Sequence, residues 1–202
     1  YIRRNADTGT AANTVRMRAI FGVSGNTIFE CTCQEDIHIG VHKLEPNTTA
    51  NIVATFDPNV GNGEILLYIN GVLAQTKNIP QAGTFTPASS EEFIIGNASD
   101  SGVGLGKEYH GKIDEVSIWD TALNSNSVTE LNNWNTNGNL NNYVSSSNLV
   151  GWYRMGENAT FDTGSGNWTL KSATDTSDTT LYLTSIGVAQ TDIKTPGLVG
   201  PA

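Results

Sequence analysis

The run Ile65-Leu66-Leu67-Tyr68-Ile69-Asn70-Gly71-Val72-Leu73-Ala74 constrains this chain more than any other stretch. Two apolar segments flank an Asn-Gly pair. Asn-Gly accepts positive φ at both central positions of a type I′ turn, whose twist matches that of the strands it joins. The run therefore predicts a two-residue hairpin and, with it, antiparallel sheet. Period-two alternation extends the same reading. Val15, Met17, Ala19 and Phe21 share one face against Arg16 and Arg18, while Phe29, Cys31 and Cys33 alternate with Ile28, Glu30 and Thr32. Ile37, Ile39 and Val41 alternate with His38 and His42. Short alternating runs between turn residues are the pattern of stacked antiparallel sheets.

Composition agrees. The chain holds 24 Thr, 22 Asn and 21 Gly, and only 15% of its 202 residues are charged. Thr suits a pleated, half-buried surface, and Asn and Gly suit turns. A chain of this length buries a core without staples, and a β-sandwich of this size is commonly one domain. Eleven basic against 20 acidic residues give a net charge of −9, and no basic run exceeds the Arg3-Arg4 pair. That excludes the cationic stripe a nucleic acid partner requires. The sequence also lacks an apolar run long enough for a membrane-spanning helix. Cys31 and Cys33 are the only cysteines, and two residues apart on a strand they stand too far from each other for a disulfide. Free thiols are expected, and a Cys-x-Cys metal site has no further ligands here. No signal peptide is visible in a sequence that opens at Tyr1, which leaves the compartment open.

Further along, Phe93-Ile94-Ile95 and residues 112–119 read as strands. A short helix is predicted over 125–132, with Asn124 as N-cap and Leu123 stapled to Val128; Ser127 stands where a capping box would have Glu. The Asn-rich stretch 132–148 has little to bury and reads as a loop. Leu149 to Met155 resumes a strand pattern, with Leu149, Tyr153 and Met155 on one face and Val150 and Trp152 on the other. Residues 181–188 give another strand. The expected organisation is one sandwich domain over 1–188 and an extended tail over 189–202.

Five motifs occur in order: Asn51-Ile52-Val53-Ala54-Thr55-Phe56-Asp57, Leu67-Tyr68-Ile69-Asn70-Gly71-Val72, Ile94-Ile95-Gly96, Gly111-Lys112-Ile113-Asp114-Glu115-Val116-Ser117-Ile118-Trp119 and Ala122-Leu123. Together they resemble the concanavalin A-like superfamily, and more narrowly its laminin G-like and pentraxin-like jelly rolls. The resemblance implies an all-β, two-sheet antiparallel sandwich with one short helix. It also implies a strand from 149 lying beside the Ile113-Asp114-Glu115-Val116 strand. The segment Leu149-Val150-Gly151-Trp152-Tyr153-Arg154-Met155-Gly156-Glu157 is similar to segments that follow such modules in bacteriophage structural proteins.

The chemistry-bearing residues are weighed within that frame. Asp114 is in phase with Val116 and Ile118 and reads as a structural acceptor for backbone N–H groups, whereas Glu115 points the other way, into solvent. Retaining glucanases of the superfamily need two carboxylates about 5.5 Å apart. Aligned at Asp114, Lys112 and Val116 occupy those positions, so the pair is missing. His38 and His42 lie about 13 Å apart along a strand and cannot chelate one ion. The resemblance to pentraxin-like modules implies a calcium site at Asn97 and Asp100, joined by Glu108, although Ala98 stands where an acid is common. Trp134, Trp168 and Tyr109 are the candidate platforms for a sugar ring, and Trp152 is assigned to the core. The expected function is a non-catalytic, lectin-like recognition or decoration module on a virion or cell surface. It would bind a glycan or other surface proteins and have no nucleic acid or membrane partner, with homo-oligomerisation open; no cofactor is certain, and any metal bound is expected to be calcium. The alternatives are a purely structural virion or extracellular assembly protein and, more remotely, a glycoside-cleaving enzyme.

Overall fold

The computed structural model describes residues 2–5, 14–23, 27–36, 49–79, 113–133, 140, 143, 145–154, 159–165, 167–174 and 182–184. Their contacts cluster into two compact units, Tyr1–His110 with Ala122–Asn133 and Gly111–Thr121 with Trp134–Ala202. Every strand pair among the described residues is antiparallel. Among those residues no helix is long and apolar enough to cross a membrane.

The first unit contains β1 (Ile2–Asn5), β2 (Thr14–Val23) and β3 (Thr27–Asp36) in one sheet, and β4 (Ile52–Asp57), β5 (Glu64–Ile69) and β6 (Val72–Asn78) in another. Cys31 and Cys33 lie in β3 opposite Ala19 and Met17. Cα atoms of β3 come within 8 Å of β6.

The β5–β6 hairpin closes as the Asn-Gly pair requires. Asn70 and Gly71 have φ of 50° and 78°, and Ile69 stands opposite Val72. Asn70 is fixed at both ends: its N–H donates to Asn51 O at 2.8 Å, and its Oδ1 accepts from Asn51 N at 2.9 Å. The register shifts between Leu67 and Tyr68, where the partners pass from Gln75 to Leu73 and leave Ala74 as the extra residue. This bulge breaks the simple alternation, and Val72 and Leu73 are 55% and 45% exposed although consecutive. On β5, Ile65, Leu67, Tyr68 and Ile69 are all buried. Each such aliphatic side chain contributes about 1.5–3 kcal/mol by removal from water. Burial, with the nearby Glu64 charge, pushes the Tyr68 phenol above its ordinary value.

Helix α1 (Ser125–Asn133) begins where Asn124 predicts. Asn124 Oδ1 accepts the Ser127 N–H at 2.9 Å, and Leu123 and Val128 are both buried, as a staple requires. The helix docks on the hairpin: Thr129 Oγ1 donates to Gly71 O at 3.3 Å. A Cβ placed on Gly71 would lie 2.9 Å from Asn132 Cβ. Glycine is therefore needed here both for its left-handed backbone and for the approach of the helix.

The second unit holds β7 (Val116–Trp119) paired with β8 (Leu149–Tyr153), and the sheet of β9 (Ala159–Asp162), β10 (Asn167–Lys171) and β11 (Tyr182–Thr184). The strand pattern at 149 is real, and β8 lies beside β7 as the family resemblance implies. The Asn-rich stretch before it departs from the reading as a loop with little to bury. Leu140 and Tyr143 are buried, and the Tyr143 ring meets Trp119 edge-on, with centroids 5.6 Å apart and planes at 72°. The strands expected at 37–41 and 93–95, and the tail at 189–202, lie outside the described residues.

Gly71→Ala should lose about 2–5 kcal/mol, the sum of left-handed strain and overpacking. Asn132→Gly alone, in the last turn of the helix, should cost about 0.5 kcal/mol or less. Urea unfolding of the double variant should show a loss clearly smaller than the sum, because the Cβ clash is gone. Additive losses would contradict the helix-on-hairpin contact.

Candidate functional site

The titratable and aromatic residues that the structure brings together lie around the start of β7. Residues 113–115 do not continue the strand, because Glu115 takes φ of 53°, a left-handed conformation uncommon outside glycine and asparagine. Asp114 Oδ1 supports the turn by accepting the Glu115 N–H at 3.0 Å. Asp114 thus accepts from backbone, as expected, here from the residue that follows it.

Glu115 is in phase with Ser117, the cross-strand partner of Trp152, so the face it turns to is the one that carries the indole. Glu115 does not point into solvent, contrary to the sequence reading. Its Oε2 accepts the Trp152 indole Nε1–H, and its Oε1 accepts the Arg154 Nε–H at 3.1 Å. The Arg154 guanidinium lies 5.0 Å over the Trp152 ring, within cation–π range. Side-chain exposure is 37% for Glu115 and 26% for Arg154, while Trp152 is 3% exposed. A buried indole needs an acceptor, a half-buried carboxylate needs donors, and each meets the other's need.

Strand β8 places the two donors. Trp152 and Arg154 are two residues apart and therefore share a face. Trp152 is the cross-strand partner of Ser117. Ser117 Oγ in turn accepts the Trp119 Nε1–H at 3.0 Å. On the far edge of β8, side chains replace a ladder strand. The Trp152 N–H donates to Ser172 Oγ at 2.8 Å, the Ala173 N–H to Trp152 O at 2.7 Å, and Thr174 Oγ1 to Val150 O at 3.3 Å. A Cβ on Gly151 would stand 3.2 Å from the Tyr153 ring, so a larger residue here would make the ring give way by a few tenths of an ångström. Burial pushes the Tyr153 phenol above its ordinary value.

Of the residues singled out from sequence, Trp168 lies in β10 opposite Phe161. Asn97, Asp100, Glu108, Tyr109 and Trp134 lie outside the described residues. Among the described residues no group of three or more His, Cys, Asp or Glu is placed to hold a metal ion. The β9–β10 turn carries one perturbed carboxylate: the Ser165 hydroxyl, then the Gly164 N–H, hold Asp162 below its ordinary value. Sequence reasoning missed the Glu115 contact. The usable signal was Trp-x-Arg on one strand face next to an acid in the family strand.

Glu115→Ala should cost about 1–3 kcal/mol, chiefly by leaving the buried indole N–H without an acceptor. Glu115→Gln keeps that acceptor and, with the ion pair partly screened by solvent, should cost about 1 kcal/mol or less. Glu115→Gly should be milder than Glu115→Ala, because glycine carries no penalty at positive φ. Urea denaturation gives the order; Glu115→Ala matching the wild type would remove the contact.

Residues 4–129, well over half of the chain, match the model of a laminin G-type family described as the concanavalin A-like lectin/glucanases superfamily. No curated protein matches. A solved structure, an S-layer domain-containing protein (residues 221–444) from Clostridium thermocellum ATCC 27405, is similar at 17% identity and a TM-score of 0.35. The alignment covers 62% of this chain and 59% of that one. The all-β antiparallel architecture, its single described helix and the extent of the family match agree: the chain belongs to the concanavalin A-like lectin/glucanases superfamily.

Proposed function

We propose that this chain is a non-catalytic, lectin-like recognition module, displayed on a virion or cell surface, that binds glycans there. The observation that carries the reading is the state of the acids in the family strand. Glu115 is committed to Trp152 and Arg154, and Asp114 to backbone. The two positions where a retaining glucanase would place its carboxylates are Lys112 and Val116. What the superfamily offers a chain without that pair is recognition, although fold alone does not fix function. On this reading residues 1–188 act as one domain. Trp134, Trp168 and Tyr109 supply stacking surfaces, and calcium at Asn97, Asp100 and Glu108 orders the sugar-binding loop. A second reading, a structural assembly protein that buries a sandwich face against its neighbours, draws on the adjacent exposed Val72 and Leu73.

The test is a glycan array probed with the folded chain in millimolar calcium and again with chelator. Saturable binding to a restricted set of glycans, weakened by chelator, is expected. Absence of binding to any glycan by a protein with an intact melt would reject the lectin-like reading.

A further inference from the structure

We propose that Asn70-Gly71 is a self-modification site which the fold keeps closed. When the β5–β6 hairpin leaves α1, the Asn70 carboxamide is consumed by its own backbone, and the isoaspartate so formed bars the hairpin from closing again. Asn-Gly is the pair most open to this chemistry, because glycine puts no side chain beside the attacking nitrogen. Asn70 is exposed, so water and base reach it. The Gly71 nitrogen, having lost its proton to solvent, attacks Asn70 Cγ. The N–Cγ bond forms, the Cγ–Nδ2 bond breaks, and Nδ2 leaves as ammonia with a proton from water. Water then opens the succinimide ring at one of its two carbonyls. Cleavage at Cγ gives aspartate, and cleavage at the main-chain carbonyl gives isoaspartate, whose main chain runs through Cβ and Cγ.

The folded pair is held off that path. A five-membered ring needs the Gly71 nitrogen eclipsed with Cβ about the Asn70 Cα–C bond. Asn70 has φ of 50°, and left-handed backbone carries ψ of about +47°, which places that nitrogen nearly anti to Cβ. Ring closure therefore requires the peptide between Asn70 and Gly71 to turn over. That peptide is clamped on both sides. Asn70 Oδ1 accepts the Asn51 N–H at 2.9 Å, and Gly71 O accepts the Thr129 hydroxyl at 3.3 Å. Asn132 Cβ of α1, 2.9 Å from where a Cβ on Gly71 would stand, crowds the rotation. Asn62-Gly63 is locked by other means: the Gly63 N–H donates to Val60 O at 2.8 Å, and the Ile79 N–H donates to Gly63 O at 2.9 Å. Isoaspartate adds a main-chain carbon to a two-residue turn whose length sets the strand register. Ile69 then no longer meets Val72, and Gly71 no longer lies under Thr129. Aspartate keeps the oxygen that accepts the Asn51 N–H, so the hairpin tolerates it.

The experiment holds the full chain in mildly alkaline buffer, folded or in guanidinium chloride. Peptide mapping that separates aspartate from isoaspartate follows Asn62 and Asn70. In denaturant the two should convert at similar rates. In the folded chain Asn70 should convert at least about tenfold more slowly, since its chemistry waits on local opening. Thr129→Ala should raise the folded-state rate at Asn70 roughly two- to tenfold, as loss of one hydrogen bond allows, and leave Asn62 unchanged. After dilution from denaturant, chains with isoaspartate at position 70 should stay in the fraction that does not refold, while those with aspartate there should refold. Equal Asn70 rates in folded and denatured wild type, an unchanged Asn70 rate in Thr129→Ala, or equal acceleration at both asparagines would overturn the gate. Isoaspartate at position 70 in the refolded fraction would overturn the block on closure. Should Thr129→Ala fail to fold, the wild-type comparison decides alone.

Discussion

One carboxylate organises the described part of the second unit. Glu115 accepts from an indole and from a guanidinium, and all three groups give up hydration to do so. The exchange is favourable because charge-assisted hydrogen bonds are stronger than neutral ones, and because the indole would otherwise be buried without an acceptor. The backbone conforms to that demand. Glu115 adopts φ of 53°, at a cost of about 1–2 kcal/mol for a residue with a Cβ, and β7 begins only at Val116. Glu115 is thereby tied to a strand more than thirty residues further along the chain.

Elsewhere the molecule meets a related problem, the unpaired edge. Strand β8 has β7 on one side, and on the other the Ser172 and Thr174 hydroxyls and the Ala173 N–H stand in for a ladder. Side-chain groups satisfy the edge without offering a continuous template to another chain. The Asn70-Gly71 hairpin is closed off in another way. Asn70 bonds back to Asn51, and α1 sits so close over Gly71 that no larger residue fits.

Much of this was legible in the sequence, for local reasons. Asn-Gly dictates its turn, Asn124 caps its helix, and Leu123 and Val128 form its staple, because each depends on a few adjacent residues. The β7–β8 pairing was legible through family motifs. What the sequence hid was the surroundings of Glu115: period-two counting set it opposite Val116 and Ile118 but gave no sign that Trp152 and Arg154 stand on that face. The bulges at Leu67/Tyr68 and Ile118/Trp119 break the period itself and so hid the exposure of Leu73 and Val150. Tyr143 was hidden by its surroundings, a buried aromatic within an Asn-rich run. Of the candidate site, the absence of a glucanase pair was legible from residue identity alone, while the Trp119 to Arg154 row needed three-dimensional contacts.

The family match ends at residue 129, yet β7 inside it is paired by β8 beyond it. We propose that the C-terminal segment completes the family module rather than standing as a separable appendage. The direct measurement is thermal unfolding of residues 1–131 expressed alone. An aggregating or non-cooperatively melting product is expected, because β7 would lose its partner strand and Glu115 both of its donors. A soluble monomer with a cooperative melt equal to that of the full chain would contradict it.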